Sequence, residues 1–325
     1  MFLVRLPMFL GIGMRRFTQG GYERASKDFS ESDLSVDMKG KHVMITGANQ
    51  GLGYATAKQL ARKGCTLFMV CRNSEKGQSA VDEIKAESGN PNIELLLCDM
   101  SSLSDIRKLA SDFTASGKPL HVLINNAGVM VPPSKSSEGY EMNFATNTLG
   151  YYALTRALEP VLKKSVPARV IFVASGGALT EPLVVEDLEG TKILSKKNFP
   201  ESQYARDKRR QVALCEGLAQ EWSGSGLSIY SMHPGWCKTE GVKSSMPDFY
   251  DRFKTSLRTI DQGADTTVWL AVKDEKALKS GEFYLDRAIQ SKHLPLAGTG
   301  YSDSDVTALM ANLDEMIKPA VPSRL

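Results

Sequence analysis

Apolar and polar positions along this chain fall into two alternating rhythms. From Lys41 onward, short apolar runs (HVMIT, TLFMVC, IELLLC, HVLIN, RVIFVA, LSIYSM) alternate with longer segments that carry helical periodicity or caps, and GEFYL follows near residue 283. Such alternation marks βαβ units feeding one parallel sheet. The runs are apolar throughout rather than at every second position, as strands covered by helices on both faces must be. SSLSDIRKLASDF shows the helical counterpart, a serine cap followed by Leu103, Ile106, Leu109, Ala110 and Phe113 on one side. The pattern predicts an α/β fold, a doubly wound parallel sheet of about seven strands with helices on both faces.

The ends depart from this rhythm. MFLVRLPMFLGIGM is apolar but is interrupted by Arg5 and Pro7, and it falls short of the ~20 residues that span a bilayer. No acid precedes Glu23, and Arg5, Arg15 and Arg16 lie in the same stretch. The simplest reading is an apolar arm that packs on its own domain or on a partner; a mitochondrial presequence and a membrane-surface anchor stay open. Arg24 to Asp37 reads as a polar linker. Near the other end, Val306, Leu309, Met310, Leu313, Met316 and Ile317 recur at helical spacing behind Ser302 and Asp303, giving a surface helix or a docking element. The chain thus divides into an arm and linker (1–38), a main domain (39–290) and a tail (291–325), and neither end is long enough for a second core.

Composition narrows the function. Hydrophobic residues are 42% and charged residues 24% of the 325, so the chain is globular rather than disordered. Lys plus Arg (40) nearly balance Asp plus Glu (37) and are spread along the length, which argues against a nucleic-acid partner. Cys65, Cys71, Cys98, Cys215 and Cys237 form no C-x-x-C pair, and His42, His121, His233 and His293 are scattered. No metal site is expected, and a reducing, intracellular compartment fits, cytoplasmic or at a membrane surface.

Chemistry enters at the end of the first run. Thr46-Gly47-Ala48-Asn49-Gln50-Gly51-Leu52-Gly53 leads into YATAKQLARKG, which has helical composition. A glycine-rich turn there lets backbone approach a pyrophosphate at a helix N-terminus, although a tight βα turn without ligand would use the same glycines. After the second run stand Cys71, Arg72 and Asn73, with no acid before Glu75. An acid would bind the ribose of NAD; a guanidinium instead suits a 2′-phosphate, so NADP(H) is favoured, with NAD(H) open.

With these motifs the sequence resembles the short-chain dehydrogenase/reductase family. TGANQGLG is similar to its cofactor loop, Asp99 to the acid near the adenine, and Asn125-Asn126-Ala127-Gly128 to its NNAG stretch. Asn147, Ser175, Tyr204 and Lys208 match the catalytic tetrad, and His233-Pro234-Gly235 with Thr239 matches the loop at the nicotinamide end. The resemblance covers Lys39 to Asp286. VCRNSEKG and the wide separation of Ser175 from Tyr204 are similar to the retinol-dehydrogenase-like, NADP-using branch. It implies a single-domain Rossmann fold. It also implies cofactor contacts from Thr46, Gly47, Asn49, Gln50, Gly51, Leu52, Gly53, Arg72, Asp99, Met100, Asn126, Ala127, Gly128, Tyr204, Lys208, Pro234, Gly235 and Thr239.

Hydride reduction of a carbonyl leaves an alkoxide that needs an acid within hydrogen-bond reach. Tyr204 fills that part, and Lys208 at i+4 shares its helix face, where an ammonium lowers the phenol pKa. Ser175 orients the oxygen, and the Asn147 side chain is expected to help hold a water leading from the lysine to solvent. Ala174 stands where the family often has serine, and Gly176-Gly177 follows, which touches local loop geometry. The insertion between Ser175 and Tyr204 reads as a wall with solvated lysines. Val242, Met246, Phe249, Tyr250, Phe253 and Leu257 form a helical stripe, either a lid over a lipophilic pocket or an ordinary amphipathic helix. The expectation is an NADP(H)-dependent carbonyl reductase, or the reverse alcohol dehydrogenase, for a small lipophilic substrate such as a retinoid, steroid or lipid-derived aldehyde. Membrane contact through residues 1–16 and a homo-oligomer stay open. The alternatives are a catalytically weak nucleotide-binding scaffold or redox sensor, and an isomerase or dehydratase on the same fold.

Overall fold

A computed structural model of the chain describes residues 2–318; Met1 and 319–325, the extremes of the expected arm and tail, lie outside the described residues. Eight strands form one sheet: β1 (His42–Thr46), β2 (Thr66–Cys71), β3 (Ile93–Leu97), β4 (Val122–Asn125), β5 (Ala168–Val173), β6 (Leu227–Met232), β7 (Phe283–Leu285) and β8 (Ala288–Gln290). Their order is β3-β2-β1-β4-β5-β6-β7-β8, parallel throughout except for the antiparallel β7–β8 pair. The chain starts at the middle of the sheet and reverses its direction of travel between β1 and β4, so the crevice at their carboxyl ends is the switch point where such sheets bind ligands.

Each strand's alternate residues enter two different cores. Met44, Phe68, Leu123, Val170 and Phe172 pack under helices α5 (Leu103–Ala115), α7 (Gly150–Lys164), α8 (Phe199–Glu221) and α12 (Asp303–Ile317). Val43, Ile45, Met69, Ile124 and Ile171 pack under α3 (Gly51–Ala61), α4 (Ser74–Ser88) and α11 (Ile260–Val272). Both faces of the sheet are therefore buried, which is why the strands read as unbroken apolar runs.

The eighth strand exceeds the seven expected. Asp286 and Arg287 adopt φ of 52° and 58°, the left-handed pair that a two-residue hairpin requires. Aspartate tolerates the left-handed region, but at Arg287 it penalises the side chain. Two ion pairs hold them instead: Asp286 with Arg258, and Arg287 with Asp265 at 2.6 Å.

Both chain ends belong to the domain. The expected linker, Arg24 to Asp37, takes in the last two residues of α2 (Gln19–Ala25) and two short 3-10 turns, Ser26–Asp28 and Glu31–Leu34. Most of its polar residues are exposed, but two side chains fix it to the domain: Asp33 pairs with Lys273 at 2.6 Å and accepts from the Trp269 indole, while Arg287 stacks on Phe29. Helix α12 is capped by Ser302 and buries Val306, Leu309 and Leu313 in the α8 side of the core, each such burial contributing ~1.5–3 kcal/mol. It is a structural helix on α8, where Gly217 leaves room for Val306 and Met310.

Helix α1 (Phe2–Arg16) turns Met8, Phe9, Leu10 and Ile12 toward the domain and leaves Leu6 and Met14 exposed. Among the described residues no helix is long and apolar enough to cross a membrane. The expected single stripe after Thr239 is two helices, α9 (Glu240–Ser245) and α10 (Pro247–Phe253). Pro247 explains the break: it lacks an N–H and pushes the residue before it, Met246, out of the helical region. Phe249, Tyr250 and Phe253 still share one apolar cluster with Trp236, Phe17 and α1.

Candidate active site

β1 ends at Thr46, and the chain passes through Gly47 and Gly51, with φ of 64° and 56°, into α3. Only glycine takes these angles without strain. At Gly53 a Cβ would overlap the Gly47 carbonyl. Gln50 caps α3 without any side-chain hydrogen bond, so the first amides of the helix stay open to an anion. Asn49 and Gln50 line a cleft of 370 Å³ between this loop and α4, together with Lys76, Ser79, Glu75 and Glu83. Arg72, at the end of β2, is exposed, and among the described residues its guanidinium has no hydrogen-bond or ion-pair partner. The open amides, the close backbone and the free cation fit a dinucleotide.

Other expected cofactor residues serve as scaffold. The Thr46 hydroxyl accepts from the N–H groups of Asn126 (2.9 Å) and Ala127 (3.0 Å), and Asn126 Nδ2 donates back to the carbonyls of Thr46 and Gly47. These bonds tie the ends of β1 and β4 together and shape the loop from within. Asp99 Oδ1 accepts both the N–H and the hydroxyl of Ser101, and the Met100 carbonyl packs against Gly150, where any side chain would collide with it. Leu52 packs toward Gly263 of α11. Thr239 caps α9 through the Val242 N–H, and its methyl lies 3.9 Å from where a Gly51 Cβ would be, so the glycine loop meets the Pro234–Thr239 loop.

The four catalytic candidates converge at the carboxyl ends of β4 and β5. Ser175, partly exposed just beyond β5, accepts from the Gly177 N–H at 3.2 Å. Tyr204 and Lys208 sit one turn apart on α8, with Lys208 Nζ 5.3 Å from the Tyr204 ring centre. Lys208 donates to the Val173 carbonyl at 2.8 Å and to Gln211 Oε1 at 3.2 Å. An ammonium has three N–H groups, so one is left for a ligand. Gly128 passes beside this group, its Cβ position 3.8 Å from Lys208 Nζ and 3.3 Å from Asn147 Oδ1.

Asn147 lies in a π-turn, Ala145–Leu149, between α6 (Met142–Phe144) and α7; such turns recur at functional sites. Its side chain is anchored to the backbone of Val129: Oδ1 accepts from the Val129 N–H at 2.9 Å, and Nδ2 donates to the Val129 carbonyl at 2.8 Å. The backbone carbonyl of Asn147 accepts from Gln211 Nε2 at 2.6 Å. Gln211 thus bridges Asn147 and Lys208. Sequence reasoning passed over it, although its place at i+3 from Lys208 on the same buried helix face was a usable signal.

Burial decides the electrostatics. It pushes the Tyr204 phenol up to about 12, with Asp207 adding to the rise and a hydrogen bond from Ser175 opposing it. It pushes Lys208 down to about 7, with Asp207 opposing. Burial is thus the largest influence on both groups in the protein alone. Asp207 itself is raised to about 6 by burial, restrained by Arg210 at 2.9 Å and by the Thr148 hydroxyl.

Residues of the insertion close one side. Arg209 donates to the Glu181 carbonyl, and Arg210 to the carbonyls of Val184, Asp187 and Leu188, so the catalytic helix itself holds this wall. Lys192, Lys196 and Lys197 point to solvent as expected. On the other side Gly235 (φ 81°) approaches the Arg258 guanidinium too closely for any side chain, and Arg258 Nη1 donates to the Pro234 carbonyl at 3.4 Å. Arg258, the centre of this corner, carried no sequence signal.

Comparison with known proteins agrees with this geometry. The family model described as short chain dehydrogenase matches residues 41–185. Human dehydrogenase/reductase SDR family member 12 is 43% identical over 97% of this chain and 98% of its own length. Human retinol dehydrogenase 11 is 36% identical over 78% of this chain and 79% of its own. Among solved structures, an uncharacterised protein from Mycobacterium paratuberculosis superposes with a TM-score of 0.70 at 28% identity, covering 89% of this chain and 97% of that one. A complex of Pseudomonas aeruginosa RhlG with NADP shares the fold at a TM-score of 0.62 and 21% identity, covering 76% of this chain and 94% of that one. The glycine loop, the four convergent side chains and kinship over nearly the whole length agree: this chain belongs to the short-chain dehydrogenase/reductase family of nicotinamide-dependent oxidoreductases, in its retinol-dehydrogenase-like branch.

Proposed function

We propose that the chain reduces a lipophilic aldehyde or ketone with NADPH, or runs the reverse alcohol oxidation. The observation that carries this reading is the division of the site by exposure. Ser175 and Tyr204 are partly open, where a carbonyl oxygen can reach both hydroxyls, while Lys208 and Asn147 are buried behind them. When bound, the nicotinamide supplies a hydride from C4 to the carbonyl carbon. Ser175 orients the oxygen, and Tyr204 hands it the phenolic proton as charge develops. Lys208, fixed by Val173 and Gln211, has one N–H left for the ribose hydroxyls. Burial keeps the phenol in its protonated form, the form that donates to a carbonyl oxygen.

The unpartnered Arg72 supports NADPH over NADH. Replacing it with alanine is expected to raise the Kd for NADPH about tenfold or more and to leave NADH nearly unchanged, because charge-assisted hydrogen bonds contribute roughly 1.5–3 kcal/mol. Fluorescence titration of both cofactors checks this; equal weakening of the two counts against a 2′-phosphate contact.

Purified protein with NADPH is expected to turn over at least one of aldehydes, ketones, retinoids or steroids. No net NADPH oxidation across that panel would favour a nucleotide-binding scaffold instead. Against the scaffold stands the Tyr204 hydroxyl, partly exposed beside Ser175, together with the other three members of the intact tetrad.

A further inference from the structure

Lys208 is a buried ammonium without a carboxylate partner. Among the described residues no acid forms an ion pair with its Nζ, and its hydrogen bonds run to the Val173 carbonyl and to Gln211, both neutral. The neighbouring Asp207 is engaged elsewhere: its Oδ1 accepts from Arg210 at 2.9 Å and from the Thr148 hydroxyl at 2.7 Å. Buried charges are as a rule paired, because leaving water without a partner is costly.

What the ammonium has instead is aromatic. Nζ lies 5.3 Å from the ring centre of Tyr204 and 5.5 Å from that of Tyr151. Tyr151 stands in the first turn of α7, directly after the π-turn that carries Asn147. It is fully buried, and its ring is set edge-on against Phe172 of β5 with ring centres 5.5 Å apart. Gln211 and Tyr204 face its hydroxyl, yet among the described residues none meets that hydroxyl with the geometry of a hydrogen bond. The ring, rather than the hydroxyl, is therefore what Lys208 meets. An aromatic face attracts a cation, most strongly where both have left water.

We propose that Tyr151 is a positioning residue for the reaction: its ring face takes the place of a counter-ion and holds the Lys208 ammonium ready for the ribose hydroxyls of the cofactor. The proposal rests on the carbonyl-reductase reading and adds to it a residue that acts through Lys208. The groups around the ammonium titrate apart from it. Burial pushes the Tyr204 phenol up to about 12 and the Tyr151 phenol well above the ordinary phenol range, while Asp207 is raised to about 6. Lys208, pushed down to about 7 by burial, loses its proton between them. The Val173 carbonyl, Gln211, Gly128 and Asn147, which face it from β5, α8, the loop after β4 and the π-turn, carry no charge. Cofactor binding and turnover that need the ammonium are thus present at lower pH and lost as pH rises through the Lys208 pKa; taking away the ring face lowers that pKa, so the loss comes earlier.

The test compares wild type with Tyr151→Phe, with a Tyr151→Phe protein whose ring at that position is pentafluorinated, and with Tyr151→Leu. Two quantities are followed across neutral and alkaline pH: the Kd for NADPH, and kcat/KM for a carbonyl substrate at saturating NADPH. Tyr151→Phe keeps the ring and is expected to leave both alkaline limbs and the Tm in place, since the hydroxyl it removes has no partner. The fluorinated ring keeps the shape but not the electron-rich face, and with it and with Tyr151→Leu both limbs are expected to move down by roughly 0.5–1.5 pH units, the equivalent of one buried cation–π contact. Should Tyr151→Leu fail to fold, the fluorinated ring still gives the answer. Limbs that stay in place with the fluorinated ring overturn the proposal, because packing alone changes stability without moving a titration. Limbs that move as far in Tyr151→Phe also overturn it, by assigning the effect to the hydroxyl. Wild type that binds NADPH but turns over no carbonyl compound sinks the underlying reading, and the Kd profile then decides the part of Tyr151 by itself.

Discussion

Replacing Tyr204 with phenylalanine is expected to lower kcat for carbonyl reduction by about 10²–10⁴-fold, the usual contribution of a positioned acid, while NADPH affinity stays within about twofold, a change of roughly 0.4 kcal/mol. The variant removes one oxygen and keeps the ring that packs beside Lys208. The partly exposed Ser175 remains to hold the substrate oxygen but cannot replace the proton, because a serine hydroxyl is a far weaker acid than a phenol. Single-turnover kinetics and a cofactor titration separate the two effects. Undiminished turnover would remove Tyr204 from the mechanism. Loss of NADPH binding would recast it as a cofactor contact.

The second large effect lies outside the reacting groups. Asp286 holds the Arg258 guanidinium through two hydrogen bonds of 2.6 and 2.9 Å, with Arg258 only 1% exposed. Asp286→Ala leaves that charge buried without its partner, which costs about 3–5 kcal/mol, a fall in Tm of roughly 5–8 °C for a domain of this size. The loss is not confined to stability. Arg258 also holds the carbonyls of Arg16, Phe17, Thr18 and Pro234, so the arm is expected to loosen and trypsin to cut faster at the exposed Arg15 and Arg16. Replacing both members, Arg258→Met with Asp286→Leu, removes the unpaired charge and should restore part of the Tm while leaving the arm sensitive to trypsin. If Asp286→Ala melts like wild type, the pair is not what holds this corner.

Much of the sheet was legible because its code is local. Continuous apolar runs and the caps between them identified β1 to β7, and glycines with positive φ marked the turn before α3. The Tyr204 and Lys208 pair was legible for the same reason: i+4 spacing on a helix places two side chains on one face. Their acidities were not, since desolvation depends on everything that packs around α8, and it raised the phenol and lowered the lysine. Asn147 shows a similar limit. Its position could be read from the motif, but the π-turn and the bonds to Val129 determine what its side chain holds.

The amino-acid order alone settled the α/β class and the family and singled out the glycine loop and the candidate catalytic side chains, because each is written in short motifs. The tertiary structure decided which polar residues at the chain ends are engaged and where the arm goes. Arg258 meets Phe17 across 241 positions of sequence, and no periodicity or cap encodes a contact between segments so far apart. That contact forms only when the fold brings the loops after β6 and β7 beside the arm, and it makes an apolar N-terminal stretch part of the packed domain.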